Sequence, residues 1–258
     1  MRRRRRSTEL TLTIAGPIIL LFAWEALSRT ETINPLFWPP PSSLWETTET
    51  LFLEKDLLGD IGISLYRIIA GFVVGTVPGI ALGLAMGLFW PIRVFLMPLA
   101  SAIYAVPKIA ILPLVIIMFG IGELSKIMIV AISIFFLVAL NTMSGVLAID
   151  TQFRDVARNL GASRWELFWT VALPGSLPAI FTGMRLSLGF ALVVIVGTEF
   201  LAADKGIGFM IWQSYQTLRI QQMFVGLVIT GIMGWALTLL LDLIEQVVVP
   251  WRTAGEEA

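Results

Sequence analysis

Six stretches of this chain are long and apolar enough to cross a bilayer, and no other feature limits its fold so tightly. They cover roughly residues 10–27, 61–89, 94–119, 124–147, 177–201 and 223–249. A helix needs about 20 apolar residues to span the hydrocarbon core. Inside that core every backbone N–H and C=O has to be satisfied within the protein, which leaves helices as the form for segments of this length. Only 14% of the residues are charged and 57% are hydrophobic, against about 25% charged in soluble domains. The chain therefore reads as an all-α membrane protein. We expect one domain over residues 1–258 with six transmembrane helices, held by the lipid bilayer.

Composition also removes several kinds of chemistry. There is no Cys and no His, so thiolate or imidazole metal sites, disulfides and Ser–His or Cys–His nucleophiles are excluded. No metal site and no catalytic residue is expected. No phosphate loop of the form G-x-x-x-x-G-K-[ST] occurs. If ATP drives this protein, another subunit binds it. Lys plus Arg and Asp plus Glu both number 18, so the overall charge points to no nucleic acid. What matters is where the charges sit.

Residues 1–9 form a basic tail with five consecutive arginines. A signal peptide or twin-arginine signal would also begin this way. The following run approaches full spanning length and lacks an A-x-A cleavage site, which favours a cytoplasmic anchor for the first helix. Residues 29–60 then form a loop rich in acidic groups, stiffened by Pro39, Pro40 and Pro41. Ser43 and Glu46 have capping-box spacing and predict an interfacial helix with Leu44, Trp45, Leu51 and Phe52 as its apolar contacts. A docking surface for an extracytoplasmic partner is the other use for this loop. With six crossings, Arg93, Arg154, Arg158, Arg164 and Arg252 fall on the same side as the basic tail. By the positive-inside rule, residues 148–176 and both termini are then cytoplasmic.

Within the spans, Gly71, Gly75, Gly79, Gly83 and Gly87 recur every fourth residue. They put a small-residue stripe on one helical face, where another helix can approach closely. Arg67, Asp242 and Glu245 lie near span ends, and snorkelling to the interface accounts for them. Lys108 sits between Pro107 and Pro113 in a broken segment. It suits a pathway for anions, or an ordinary kink facing lipid headgroups. Arg185, Thr198 and Glu199 in the fifth span and Asn141 in the fourth could line a central path; helix–helix hydrogen bonding is the alternative.

Residues 155–178 read DVARNLGASRWELFWTVALPGSLP, a polar and basic island between apolar runs. Gly161 is the residue best able to take the left-handed conformation that stops a helix. Ser163 with Glu166 predicts that a second helix starts at once, and Pro174 should end it. This stretch resembles the EAA loop of ABC importer permeases, E-A-A-x3-G-x9-I-x-L-P. Asp155 stands for the glutamate and Val156 for the first alanine. The segments PPPSSLWETTETL, SLYRIIAGFVVGTVPGIALGLAMG, VPKIAILPLVIIMFGIGELSK and GTEFLAADKGIGFMI look like the nitrate, sulfonate and taurine branch of the same family.

That resemblance implies a type I importer transmembrane domain in the inner membrane. Its loop would be a cytoplasmic coupling helix, with Asp155, Ala157, Gly161 and Pro174 in the coupling role and Arg158 and Arg164 as supporting contacts. It implies two ATPase subunits, which bind the ATP and magnesium, since this chain is no enzyme and holds no cofactor. It also implies a second permease copy, expected as a homodimer, and an extracytoplasmic substrate-binding protein. The cargo would be a small anion such as nitrate, a sulfonate, taurine or bicarbonate. A vitamin precursor is the alternative cargo, and an ion-coupled secondary transporter or a membrane scaffold the alternative class.

Overall fold

The computed structural model of the chain describes the backbone of residues 2–251 and the side chains of 15–53 and 55–251. The side chains of the basic tail 1–9 and Arg252 lie outside the described residues. Among the described residues the structure is almost entirely helical, without strands. In chain order the helices are α1 (Arg2–Arg29), α2 (Pro41–Glu54), α3 (Leu57–Leu88), α4 (Trp90–Ala105), α5 (Leu112–Phe119), α6 (Glu123–Leu147), α7 (Thr151–Asn159), α8 (Arg164–Leu167), α9 (Leu173–Ala202), α10 (Ile207–Gln216) and α11 (Ile220–Val248).

The centre is a sandwich of α3, α6 and α9. The glycine stripe of α3 lies flat on α6, as its spacing predicts. A Cβ on Gly71 would come within 2.6 Å of Val130 Cβ, and one on Gly79 within 2.8 Å of the Phe135 carbonyl oxygen. One on Gly87 would meet Val146 Cβ at 2.5 Å. Contacts advance together along both helices, so α3 and α6 run parallel. Where the backbones are this close, dispersion and packing replace the hydrophobic driving force that lipid cannot supply. On the other face of α6, Gly145 abuts Ala179 and Ser176, and Asn141 abuts Gly183. There the order reverses, so α9 runs antiparallel to α6.

A parallel α3–α6 pair requires the chain between them to return along the bundle. It does so as a broken path. The α4 helix meets the 3-10 turn Lys108–Ile111 and α5 at a bend of 90°, at the Pro107 and Pro113 breaks. Four single helical paths, α3, α6, Arg164–Ala202 and α11, are long and apolar enough to cross a membrane, and the bent pair makes a fifth. The sixth expected span, 10–27, falls on α1, where the side chains of 2–14 lie outside the described residues.

Two local expectations are corrected. The α2 helix starts at Pro41 rather than behind a Ser43 cap, because proline is pre-set for a first helical turn. Ser43 Oγ donates to the Pro40 carbonyl at 2.8 Å, and the Ser42 N–H and hydroxyl bond Glu25 of α1 at 3.0 and 2.8 Å. Leu44 and Leu51 enter the core while Trp45 and Phe52 face outward. Pro174, in turn, does not end the helix it follows. Residues Phe168–Ala172 form a π-helical turn whose last bond runs from the Leu173 N–H to the Phe168 carbonyl. Pro174 then falls in the first turn of α9, and the helix runs on through it to Ala202.

Candidate functional site

Two parts of the molecule concentrate polar and charged groups, one at each end of the α3–α6–α9 sandwich. The first is the loop between α6 and α9. Asp150 caps α7 by accepting from the Gln152 N–H at 2.9 Å. At the other end Gly161 has φ +85°, the Ala162 N–H donates to the Ala157 carbonyl at 3.0 Å, and the Gly161 N–H to the Arg158 carbonyl at 2.9 Å. This 6→1 and 5→2 pair is a Schellman motif with glycine at its left-handed position. Ser163 then opens α8 with a complete capping box, its N–H donating to Glu166 Oε2 at 2.7 Å and its Oγ accepting from the Glu166 N–H at 3.2 Å. The two helices broken at Gly161 are therefore as the sequence predicts.

None of the residues of α7 is buried. Asp155, Arg158 and Arg164 all lie on the surface, and Ala157 is half-buried. The apolar residues of the loop were missed as site residues by sequence reasoning. Phe153, Val156 and Leu160 are 66%, 57% and 82% exposed, and their i, i+3, i+7 spacing puts them on one face. That spacing was legible and is the signal that could have found them. Trp165 stacks on Phe168 with ring centroids 5.8 Å apart, and Trp169 meets Phe168 edge-on at 5.0 Å. Arg154 Nη2 reaches the Val146 carbonyl at 2.7 Å and fastens α7 to the end of α6.

At the opposite end lies a buried ion network that sequence reasoning assigned to separate roles. Arg67 is not snorkelling: it is 1% exposed. Its Nε and Nη2 hold Glu123 Oε2 and Oε1 at 2.6 and 2.7 Å. Its Nη1 reaches Glu199 Oε1 at 2.7 Å and the Lys205 carbonyl at 2.8 Å. Glu199, fully buried, also accepts from Ser64 Oγ at 2.8 Å and from the Gly208 N–H at 2.8 Å. Asp242 and Glu245 likewise have a partner. Arg185 donates to Asp242 through Nε at 2.9 Å and through Nη2, and to Glu245 Oε2 at 2.6 Å, joining α9 to α11. A carboxylate removed from water needs such charge-assisted bonds to stay ionised.

The remaining candidates stay local. Lys108 is buried and its Nζ donates to the carbonyls of Ile103, Tyr104 and Val106 at 2.6, 3.0 and 2.7 Å. It thus satisfies the carbonyls freed where α4 breaks. Asn141 Nδ2 donates to the Leu137 carbonyl and Thr198 Oγ1 to the Val194 carbonyl, each within its own helix. Of the five path candidates, the structure joins none to another. An apolar groove of about 560 Å³ opens beside α9, lined by Ile109, Val193, Gly197, Leu201 and Trp212 among others, and none of the five borders it. Among the described residues no cluster of acidic side chains is arranged to hold a metal.

A helical bundle of parallel and antiparallel spans, with a broken third span and an exposed two-helix loop, defines the transmembrane domain of a type I ABC importer. A MetNI methionine ABC transporter in an inward-facing conformation has the same fold, with TM-score 0.66 and 18% identity over 74% of this chain and 95% of that one. A bacterial alginate ABC transporter, in complex with an alginate pentasaccharide-bound periplasmic protein, gives TM-score 0.64 at 13% identity over 95% and 97%. The chain belongs to the family of binding-protein-dependent transport system inner membrane components, whose pattern matches residues 79–253.

Relatives at closer range agree. The taurine transport system permease protein of Escherichia coli is 35% identical over 95% of this chain and 91% of its own length. The nitrate import permease protein of Synechocystis is 30% identical over 97% and 96%. This chain is thus a multi-pass permease subunit of an ABC importer in the inner membrane, working with ATPase and substrate-binding partners.

Proposed function

We propose that this permease carries a small oxyanion or sulfonate across the inner membrane, and that α7 and α8 are its coupling element. The cargo class rests on relatives named for taurine, aliphatic sulfonates and nitrate, at 35%, 31% and 30% identity. The observation that carries the coupling reading is the exposed face of Phe153, Val156 and Leu160 on a loop fixed at Gly161 and Ser163. An exposed apolar face suits a cleft on a partner protein, with the exposed Arg158 and Arg164 as supporting contacts elsewhere on the loop. The charge distribution supports a cytoplasmic position for it, with both chain termini on the same side.

In this reading the functional unit has two permease copies, as a homodimer, and two ATPase subunits that bind ATP and magnesium. The permease performs no covalent chemistry. ATP binding closes the ATPase pair and the loop transmits the motion to α9, which follows it without a break in helicity. The loaded binding protein and ATP both favour the outward-facing state and are coupled through it. The test is ATP hydrolysis by the detergent-solubilised complex, titrated with binding proteins loaded with taurine, an alkanesulfonate or nitrate. Stimulation by one of them names the cargo. If no ATPase subunit co-purifies with the permease, the coupling reading falls.

A further inference from the structure

The segment between α9 and α11 joins two spans, yet it is tied down at three successive N–H donors, Gly206 to Gly208. The Gly206 N–H donates to Asp60 Oδ1 at 2.7 Å, the Ile207 N–H to Ser64 Oγ at 3.0 Å and the Gly208 N–H to Glu199 Oε2 at 2.8 Å. These are the orphan N–H groups at the start of α10. They are satisfied by side chains of α3 and α9 rather than by α10's own cap. The fit is close as well: a Cβ on Gly206 would lie 2.6 Å from the Glu199 carboxyl carbon, and one on Gly208 2.7 Å from Glu199 Cβ.

Arg67 completes the arrangement. It balances Glu199, bridges to Glu123 at the start of α6 and donates to the Lys205 carbonyl just before α10. Lys126 reaches Glu123 Oε1 at 3.1 Å. Two cations and two carboxylates, Arg67, Lys126, Glu123 and Glu199, thus neutralise one another, with the hydrogen-bonding positions of Arg67 and Glu199 largely filled. Withdrawing α10 would strip Glu199 and Arg67 of partners while leaving their charges in the protein interior, which is the costly way to break such a network.

We propose that α10 travels through the transport cycle as a fixed part of the α3–α6–α9 unit, with Arg67 as its positioning residue. Opening on that side then takes place between this unit and its neighbours, and never by lifting α10 away. Trp212 of α10 also stacks on Phe200 of α9 with ring centroids 5.8 Å apart, a further contact between the two helices. The inference rests on the permease reading and adds which parts of the permease move together.

The chain has no cysteine, so the introduced thiols are the only ones on the permease. In the first experiment the Phe200→Cys/Trp212→Cys variant is joined by a short bis-methanethiosulfonate reagent in the complex, and uptake into vesicles is compared before and after joining. Unchanged uptake is expected; loss in proportion to the fraction joined overturns the proposal. In the second, Ser214→Cys, at a position 3% exposed on α10, is labelled with an impermeant maleimide in the permease alone. Combining it with Arg67→Met should speed labelling about tenfold, as a locally released helix exchanges more readily with solvent. Arg67→Lys, which keeps a cation for Glu199, should restore slow labelling and part of the uptake. Equal labelling with arginine and methionine at position 67 overturns the role of Arg67. Labelling needs no ATPase, so a failure of the coupling reading and a failure of this one are told apart.

Discussion

Arg67 Nη1 lies 2.7 Å from Glu199 Oε1, with the two side chains 1% and 0% exposed. One residue is 11 positions into the first central helix and the other three positions from the end of the third, so the pair closes the sandwich at one end. A contact of this kind does less for net stability than its Coulomb energy suggests, because both ions had to leave water. Its removal is asymmetric, and that asymmetry is measurable.

Arg67→Met should destabilise the permease by about 3–5 kcal/mol, the range for breaking one side of a buried pair. Arg29→Met removes the exposed Arg29–Glu25 pair and should change stability far less, since water replaces the partner. Melting of both variants in detergent checks the contrast. Equal small shifts would show that the buried network is not holding the helices.

The glycine stripe gives a prediction with opposite signs in one helix. A Cβ at Gly75 would lie 2.5 Å from the Ala131 carbonyl oxygen, which is backbone and cannot turn aside. Gly75→Ala should cost about 1–3 kcal/mol by forcing α3 and α6 apart. Gly62 has nothing within 4 Å of its Cβ position, so Gly62→Ala should be neutral or gain up to about 1 kcal/mol in helix propensity. The same melting assay reads both.

Gly161→Val places a β-branched residue at φ +85° and should strain the turn by about 1–2 kcal/mol. The residue is exposed and far from the packed core, so insertion and yield should be unchanged while uptake is lost. Normal uptake at normal expression would sink the role given to the loop.

Leu160→Asp puts a charge at the C-terminal end of the exposed apolar face, on the residue that follows α7. Because Leu160 is 82% exposed, the isolated permease should melt as before. Recovery of the ATPase subunit on affinity purification should fall sharply. Full recovery would mean that the partner docks elsewhere.

The Gly161–Ser163 turn shows what kind of structure is written locally. Its Schellman motif and capping box depend on residues within five positions of each other, so their chemistry alone fixes them. The stripe from Gly71 to Gly87 was legible for a related reason: a four-residue period specifies a face whatever packs on it. Pro174 was misjudged because a proline's effect depends on the turn before it, and the π-turn at Phe168–Ala172 leaves no sequence mark that distinguishes it from an α-turn.

The sequence by itself determined that this protein is a helical membrane protein with a polar two-helix loop, because span length, small-residue spacing and caps are properties of neighbouring residues. Only the tertiary structure decided the partners of its buried charges. Arg67 and Glu199 stand 132 positions apart, and Arg185 and Asp242 stand 57 apart. Each looks like a solitary charge in an apolar run until α3, α6, α9 and α11 are packed. Whether such a charge snorkels, lines a path or binds another helix depends on which helices meet, and that is settled by the packing of the whole bundle.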